Sequence, residues 1–251
     1  MTMTGHGGGN FFVIALVLSG IDMHTSATTG QFILFTSAFF AMMVFGRKQF
    51  VEWKLAIFVG VLLGISAFLG GFFSDYVPEN KLKLILAVFL FFIALLMLKP
   101  PKKDAHQVLR RGWMYWNIES VDKTNIYPLH LIFIVPIIFA VGIIAGMVGI
   151  SGGSFIVPLL VLSCQVPMRN AVGTASTLVS VSALAGFTGH AISGHFDYRI
   201  AVPVALGGAI GGIIGGSIAI KTNPKLLKIL FALTTLVAAI IMAYKVFKGN
   251  F

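Results

Sequence analysis

The residues best suited to chemistry are two glycine clusters, each set ahead of a short apolar run. Gly7, Gly8 and Gly9 precede a run that reaches Gly20, and Gly152 and Gly153 precede one that reaches Cys164. Glycine lowers the cost of breaking a helix, and a helix start leaves backbone N–H groups without intrahelical partners. Those N–H groups carry partial positive charge and attract anions. A patch rich in hydroxyls and amides follows each run, at residues 24–31 and 169–177. The pattern predicts an oxyanion site made of backbone N–H groups and neutral side chains. Its expected members are Gly8, Gly9, Asn10, Thr28, Thr29 and Gln31 from the first half, and Gly152, Gly153, Ser154, Gly173, Thr174 and Ser176 from the second. Asn10 and Ser154 each stand one residue past the last glycine, where a side chain caps a helix or binds ligand directly.

Bland roles compete with these. Ser and Thr in membrane helices commonly bond their own backbone. Gly207, Gly208, Gly211, Gly212, Gly215 and Gly216 read as a helix-packing face. Asp22 with His24 reads as a solvated loop pair rather than a proton relay, and His190 and His195 as interfacial. No catalytic residue, metal ligand or cofactor is expected. The single cysteine, Cys164, excludes an internal disulfide and a cysteine-based metal cluster, and there is no Walker motif.

The elements that position these residues belong to lipid. The chain is 57% hydrophobic and 10% charged, with 23 phenylalanines and a mean hydropathy of +0.95. A soluble domain carries about a quarter of its residues charged. The composition predicts an all-α, polytopic membrane protein. The net charge of +10 resides at the ends of apolar runs, where it meets headgroups, so nucleic acid is not an expected partner. The expected partners are a small anionic substrate and the lipid bilayer, with a homodimer allowed for. No basic region precedes the first apolar stretch, so no cleavable signal peptide is expected.

Uncharged stretches at residues 26–46, 55–74 and 200–220 are each long enough to cross a bilayer. Residues 84–98 and 229–244 are shorter, and flanking lysines can snorkel to extend them. Residues 131–168 are too long for one helix and read as two limbs divided at Gly149, Gly152 and Gly153; residues 170–189 form a further span. Residues 100–130 form a basic linker whose Trp113, Tyr115, Trp116 and Tyr127 suggest a segment lying at the interface. The organisation is thus a first repeat at 1–99, the linker at 100–130 and a second repeat at 131–251.

The repeat is written in three separated matches. Residues 5–20 align with 149–164 without a gap; VEWKLA from Val51 matches FDYRIA from Phe196; PENKLKLIL from Pro78 resembles NPKLLKIL from Asn223. In the first half the basic loop is the earlier one, with Arg47, Lys48 and Lys54. In the second it is the later one, with Lys221, Lys225 and Lys228. The positive-inside rule then predicts inverted copies with a cytoplasmic linker, an arrangement common in secondary transporters. Lys245 and Lys248 would end outside, against the rule. Only Met1 to Thr4 precede the first glycines, whereas an apolar limb precedes the second cluster. No acidic residue stands inside a full span, so neither proton nor sodium coupling has an obvious carrier.

Residues 146–177, GMVGISGGSFIVPLLVLSCQVPMRNAVGTAST, closely resemble the signature of the sulfite exporter TauE/SafE family, also called the toluene sulfonate uptake permease family. Gly149, Gly152, Gly153, Pro158, Leu159, Ala171, Val172, Gly173, Thr174 and Ser176 carry the likeness, which extends through residues 196–216. Three departures stand out: Ser151 replaces a glycine, Ile14 stands where the first copy should have proline, and ATTGQ replaces A-V-G-T-S there. The resemblance implies transport of sulfur oxyanions or organosulfonates across the cytoplasmic membrane, by alternating access and without ATP. Two other readings are weighed beside it. One is a passive anion channel. The other is an intramembrane serine protease of the rhomboid kind, because residues 149–152 spell G-x-S-G, with Ser151 as nucleophile and His190 as base.

Overall fold

The structure is a computed structural model that describes residues 9–98, 115–120, 126–150, 152–162, 164, 166–192, 194–223, 225–227, 229–230, 233, 236–237 and 240–241. Its elements in chain order are α1 (Gly9–Leu18), α2 (Met23–Arg47), α3 (Trp53–Phe73) with a 3-10 turn at Ser74–Tyr76, α4 (Glu79–Leu98), a hairpin of β1 (Tyr115–Glu119) and β2 (Ile126–His130), α5 (Leu131–Val148), α6 (Gly153–Leu162), α7 (Met168–Ala191) and α8 (Tyr198–Lys221). Among the described residues α2, α3 extended to Tyr76, α5, α7 and α8 are long and apolar enough to cross a membrane. This is a multi-pass, predominantly helical membrane architecture, and the long apolar stretch from residue 131 does divide into two limbs.

The spans pack as two sets of opposite direction. Gly60, Gly64 and Gly71 of α3 meet Leu178, Val181 and Gly186 of α7 in the same order, so α3 and α7 run parallel. Gly208, Gly212 and Gly216 of α8 meet Ile33, Ser37 and Val44 of α2 in the same order, so that pair is parallel too. Gly186 of α7 meets Gln31 of α2, whereas Gly173 meets Phe45, so α2 and α7 are antiparallel. Gly142 and Gly146 of α5 interdigitate with Ser66 and Ala67 of α3, which makes α5 parallel to α3. Small residues at these crossings let backbones approach where lipid offers no hydrophobic drive.

This arrangement gives the molecule two chemically distinct ends. At one, Glu52 at the α2–α3 junction meets Asn170 and Thr174 of α7, and Arg169 donates to the carbonyl of Thr222 after α8. Arg47, Lys48, Lys54 and Lys221 belong to this end. At the other, Asp75 lies between His24 and His195, at 3.5 and 3.6 Å.

Four details differ from expectation. The linker contains the hairpin, in register Tyr115↔His130 through Glu119↔Ile126. Ile118, Tyr127 and Leu129 on its inner face are buried among Leu55, Val59 and Leu63 of α3 and Ile156 and Leu160 of α6. Lys83 does not snorkel: it is buried and pairs with Glu79 one helical turn earlier, at 3.1 Å. Asp22 and His24 do not pair. Asp22 caps α2 by accepting from the Thr25 N–H, while His24 faces Asp75. His190 is not interfacial but 1% exposed, because α3 and α7 approach closely enough at Gly71 and Gly189 to enclose it.

Candidate functional site

The break in the second half is built from a helix stop and a helix start. α5 ends in a Schellman motif: Gly149 takes φ +78°, its N–H bonds the Gly146 carbonyl, and the Ile150 N–H reaches back to the Ala145 carbonyl. Gly149 packs on the backbone of Ala27 in α2, so a side chain there would meet α2 as well as an unfavourable φ. α6 then starts at Gly153, with the Gly152 carbonyl accepting from Phe155 and Ile156. The first N–H groups of α6 have no partner within their helix. α5 rises for about 27 Å and α6 returns for about 15 Å, from their residue counts. Gly152 sits against Leu63 in the middle of α3 and Gly149 against the second turn of α2, so the tip of this hairpin is enclosed by α2 and α3.

The first half supplies a matching hairpin. α1 folds back on α2, with Val13 against Gly30. Val13, Ile14 and Val17 of α1 share one buried cluster with Val148, Ile150 and Val157 around the second break. α1 packs on α2 and α6 on α7, and both contribute to this one extended cluster. Gly8 lies outside the described residues, as do the side chains of Asn10 and Ser154; Gly9 opens α1 and Gly153 opens α6, and Gly153 is buried.

The hydroxyls and amides fall into two groups. Gln31 is buried beside Gly186 and donates to the Gly146 carbonyl at 3.5 Å, while its Oε1 has no partner. Thr29 is buried and its Oγ1 also lacks a partner. A buried polar atom without a hydrogen bond costs about 1–3 kcal/mol, and among the described members of the expected set Thr29 Oγ1 and Gln31 Oε1 are the atoms without a protein partner. The others are engaged locally. Thr28 bonds the His24 carbonyl and Ser176 the Val172 carbonyl, each within its own helix. Thr174 accepts from the Glu52 N–H, and Gly173 admits Phe45 and Phe50. Gly173 and Thr174 lie about 20 Å along α7 from Gly186, by helical rise, and the structure does not bring them to Gln31.

Two groups have partners that the sequence does not reveal. The Gly146 carbonyl also accepts from His190 Nε2 at 2.7 Å, and His190 Nδ1 lies 3.0 Å from Ser74 Oγ. Both ring nitrogens are thus engaged, on the Gly146 carbonyl and on Ser74; Ser151, the nucleophile of the protease reading, lies outside the described residues. Glu52 is 1% exposed, and its Oε1 accepts from Asn170 at 2.8 Å, Tyr127 at 3.2 Å and Ser120 at 3.4 Å, so it ties the hairpin to α7. The Gly-x-x-Gly-His at residues 186–190 is the sequence trace of the enclosed histidine; Glu52 stands in the repeat match VEWKLA, but its cage comes from distant segments that no local pattern names. Cys164 is buried, which pushes its thiol up to about 12 and keeps it unreactive.

Comparisons with known proteins agree with this architecture. The chain is 26% identical over 218 residues to the probable membrane transporter protein YunE of Bacillus subtilis, covering 82% of this chain and 78% of that one. It is 25% identical over 248 residues to a probable membrane transporter protein of Xylella fastidiosa, covering 95% and 88%. A probable membrane transporter protein of Methanocaldococcus jannaschii, MJ0441, is 22% identical over 239 residues, covering 90% and 82%. These names describe membrane transporters, not enzymes. No solved structure matches the chain. The sulfite exporter TauE/SafE family matches residues 1–242, both helical hairpins and all five spans included, so the chain is a membrane transporter that belongs to this family.

Proposed function

We propose that the protein is a secondary transporter that moves a small sulfur-containing oxyanion, such as sulfite or a sulfonate, across the cytoplasmic membrane by alternating access. The observation that carries this reading is the break at residues 149–153. It is a glycine turn and helix start held between the spans, with Thr29 Oγ1 and Gln31 Oε1, which lack a hydrogen-bond partner, on the helix it touches. Helix-start N–H groups in a water-poor interior bind anions without any buried lysine or arginine. The Thr29 hydroxyl adds a donor of the kind an oxyanion needs.

Inverted repeats about this site are part of the reading. They are supported by the antiparallel course of the corresponding helices α2 and α7, and by the start of α7, whose Asn170 meets Glu52 of the α2–α3 junction and whose Arg169 reaches Thr222, at one basic end. By charge that end faces the cytoplasm. The test is a panel of sulfite, sulfate, thiosulfate and sulfoacetate in proteoliposomes, under imposed pH and sodium gradients. Saturable flux of a sulfur oxyanion, accumulated against its gradient, is the expected result. Flux that only ever runs downhill favours a channel, and no flux of any of the four overturns the reading.

A further inference from the structure

We infer that His190 is a proton-binding site that couples this protein to a pH gradient, so that the ion moved with the anion is a proton. The inference rests on the reading of the protein as an anion transporter and names its coupling ion. Among the described residues of the five spans, His190 is the one ionisable side chain that is fully buried.

The hydrogen-bond geometry admits two protonation states. Nε2 lies 2.7 Å from the Gly146 carbonyl, and a carbonyl only accepts, so Nε2 carries a hydrogen. Nδ1 lies 3.0 Å from Ser74 Oγ, which in turn lies 2.8 Å from the Gly71 carbonyl. The Ser74 hydroxyl has one hydrogen and two acceptors in reach. With a neutral ring, Ser74 donates to Nδ1. With a protonated ring, Nδ1–H donates to Ser74 Oγ and the hydroxyl hydrogen turns to Gly71. Both states leave every polar atom satisfied without moving a heavy atom. A histidine serving only to brace two helices would need one of them.

The surroundings provide a route and a reason. Asp75 follows Ser74 in the chain, is partly exposed, and lies between His24 of α2 and His195 of the α7–α8 loop. These three are the titratable groups facing His190 from the elements around it; α5 has none, and α3 has only Lys54, near its far end. A proton taken from water at the Asp75 end forms the Nδ1–H bond, and that bond breaks when the anion leaves. The Gly146 carbonyl that holds Nε2 also holds Gln31 and the Gly149 N–H, so the ring's charge arises at the rim of the break. Opposite charges this close in a low-dielectric interior attract strongly. Each ligand therefore favours binding of the other.

The experiment uses the whole protein in proteoliposomes with a trapped pH dye, and thiosulfate and sulfoacetate as probes. Anion movement is expected to change lumenal pH, with accumulation shifting about tenfold per unit of imposed pH gradient for one coupled proton. His190→Gln keeps an amide hydrogen for Gly146 but takes up no proton, and any flux it retains is expected to ignore the gradient. A merely structural histidine would be replaced without that loss. Wild-type flux without lumenal pH change, or H190Q flux with the wild-type gradient dependence, overturns the proton site and leaves the transport reading standing. Failure of wild type to move either anion overturns both. The wild-type pH record decides the matter even where H190Q does not fold. Asp75→Asn is expected to slow the lumenal pH change, and an unaltered rate overturns the route through Asp75.

Discussion

Gly149 lies directly on Ala27: the left-handed stop of α5 is pressed against the second turn of α2. Gly20 shares a positive φ, +88°, but has nothing within 4 Å of the place a Cβ would occupy. The pair separates backbone strain from crowding. Gly20→Ala should cost about 1 kcal/mol, the left-handed penalty alone. Gly149→Ala should cost about 3 kcal/mol or more, since overpacking adds to it. Thermal melts of both variants in detergent check this; equal losses would mean that α2 yields at Ala27.

Glu52 is the acceptor shared by Asn170, Tyr127 and Ser120. Glu52→Ala should destabilise by about 2–4 kcal/mol, because buried donors lose a charged acceptor. Glu52→Gln keeps the shape and one acceptor oxygen and should lose less. Limited proteolysis reads the effect locally: cleavage in the β1–β2 hairpin should accelerate in E52A, and an unchanged cleavage rate would show that the hairpin is held by other contacts.

Acid should weaken the opposite end. Burial by itself would raise the Glu79 carboxyl, but the Met23 N–H, the hydrogen bond from Lys83 and the Lys83 charge outweigh it and hold the group below its ordinary 4.5. Burial would likewise raise Asp22, and the Thr25 hydrogen bonds with the charges of His195 and His24 hold it below 3.8. A depressed carboxylate stabilises fully above its unfolded value and loses that contribution as pH falls through its folded value. Glu79→Gln should therefore melt below wild type at pH 7, with the gap closing below about pH 4.5 as both carry a neutral group. A gap that persists at pH 3 would assign the effect to shape rather than charge.

Much of this was legible in the sequence because lipid imposes a simple grammar: uncharged length marks a span, and a glycine cluster within one marks a break. That is why α2, α3, α7 and α8 fall where hydropathy places them, and why α5 and α6 separate at Gly149. Side-chain partners were less legible. Thr28 and Ser176 bond their own helices and Thr174 meets Glu52, whereas Thr29 Oγ1 and Gln31 Oε1, drawn from the same patch as Thr28, have no partner. Helical phase and neighbouring helices decide this, and neither is written locally. His190 was misplaced for the same reason. Position near a helix end suggests the interface, but Gly71 and Gly189 close α3 over it.

The most direct test of the central claim is anion flux through Gly153→Leu. Gly153 opens α6 and is buried, so a leucine there would fill the space at the start of the short helix and its free N–H groups. G153L is expected to insert into the membrane and purify as wild type does, yet to lose thiosulfate and sulfoacetate flux in proteoliposomes by about a hundredfold, the scale of removing a central polar contact. Wild-type flux through G153L would contradict an anion site at the break.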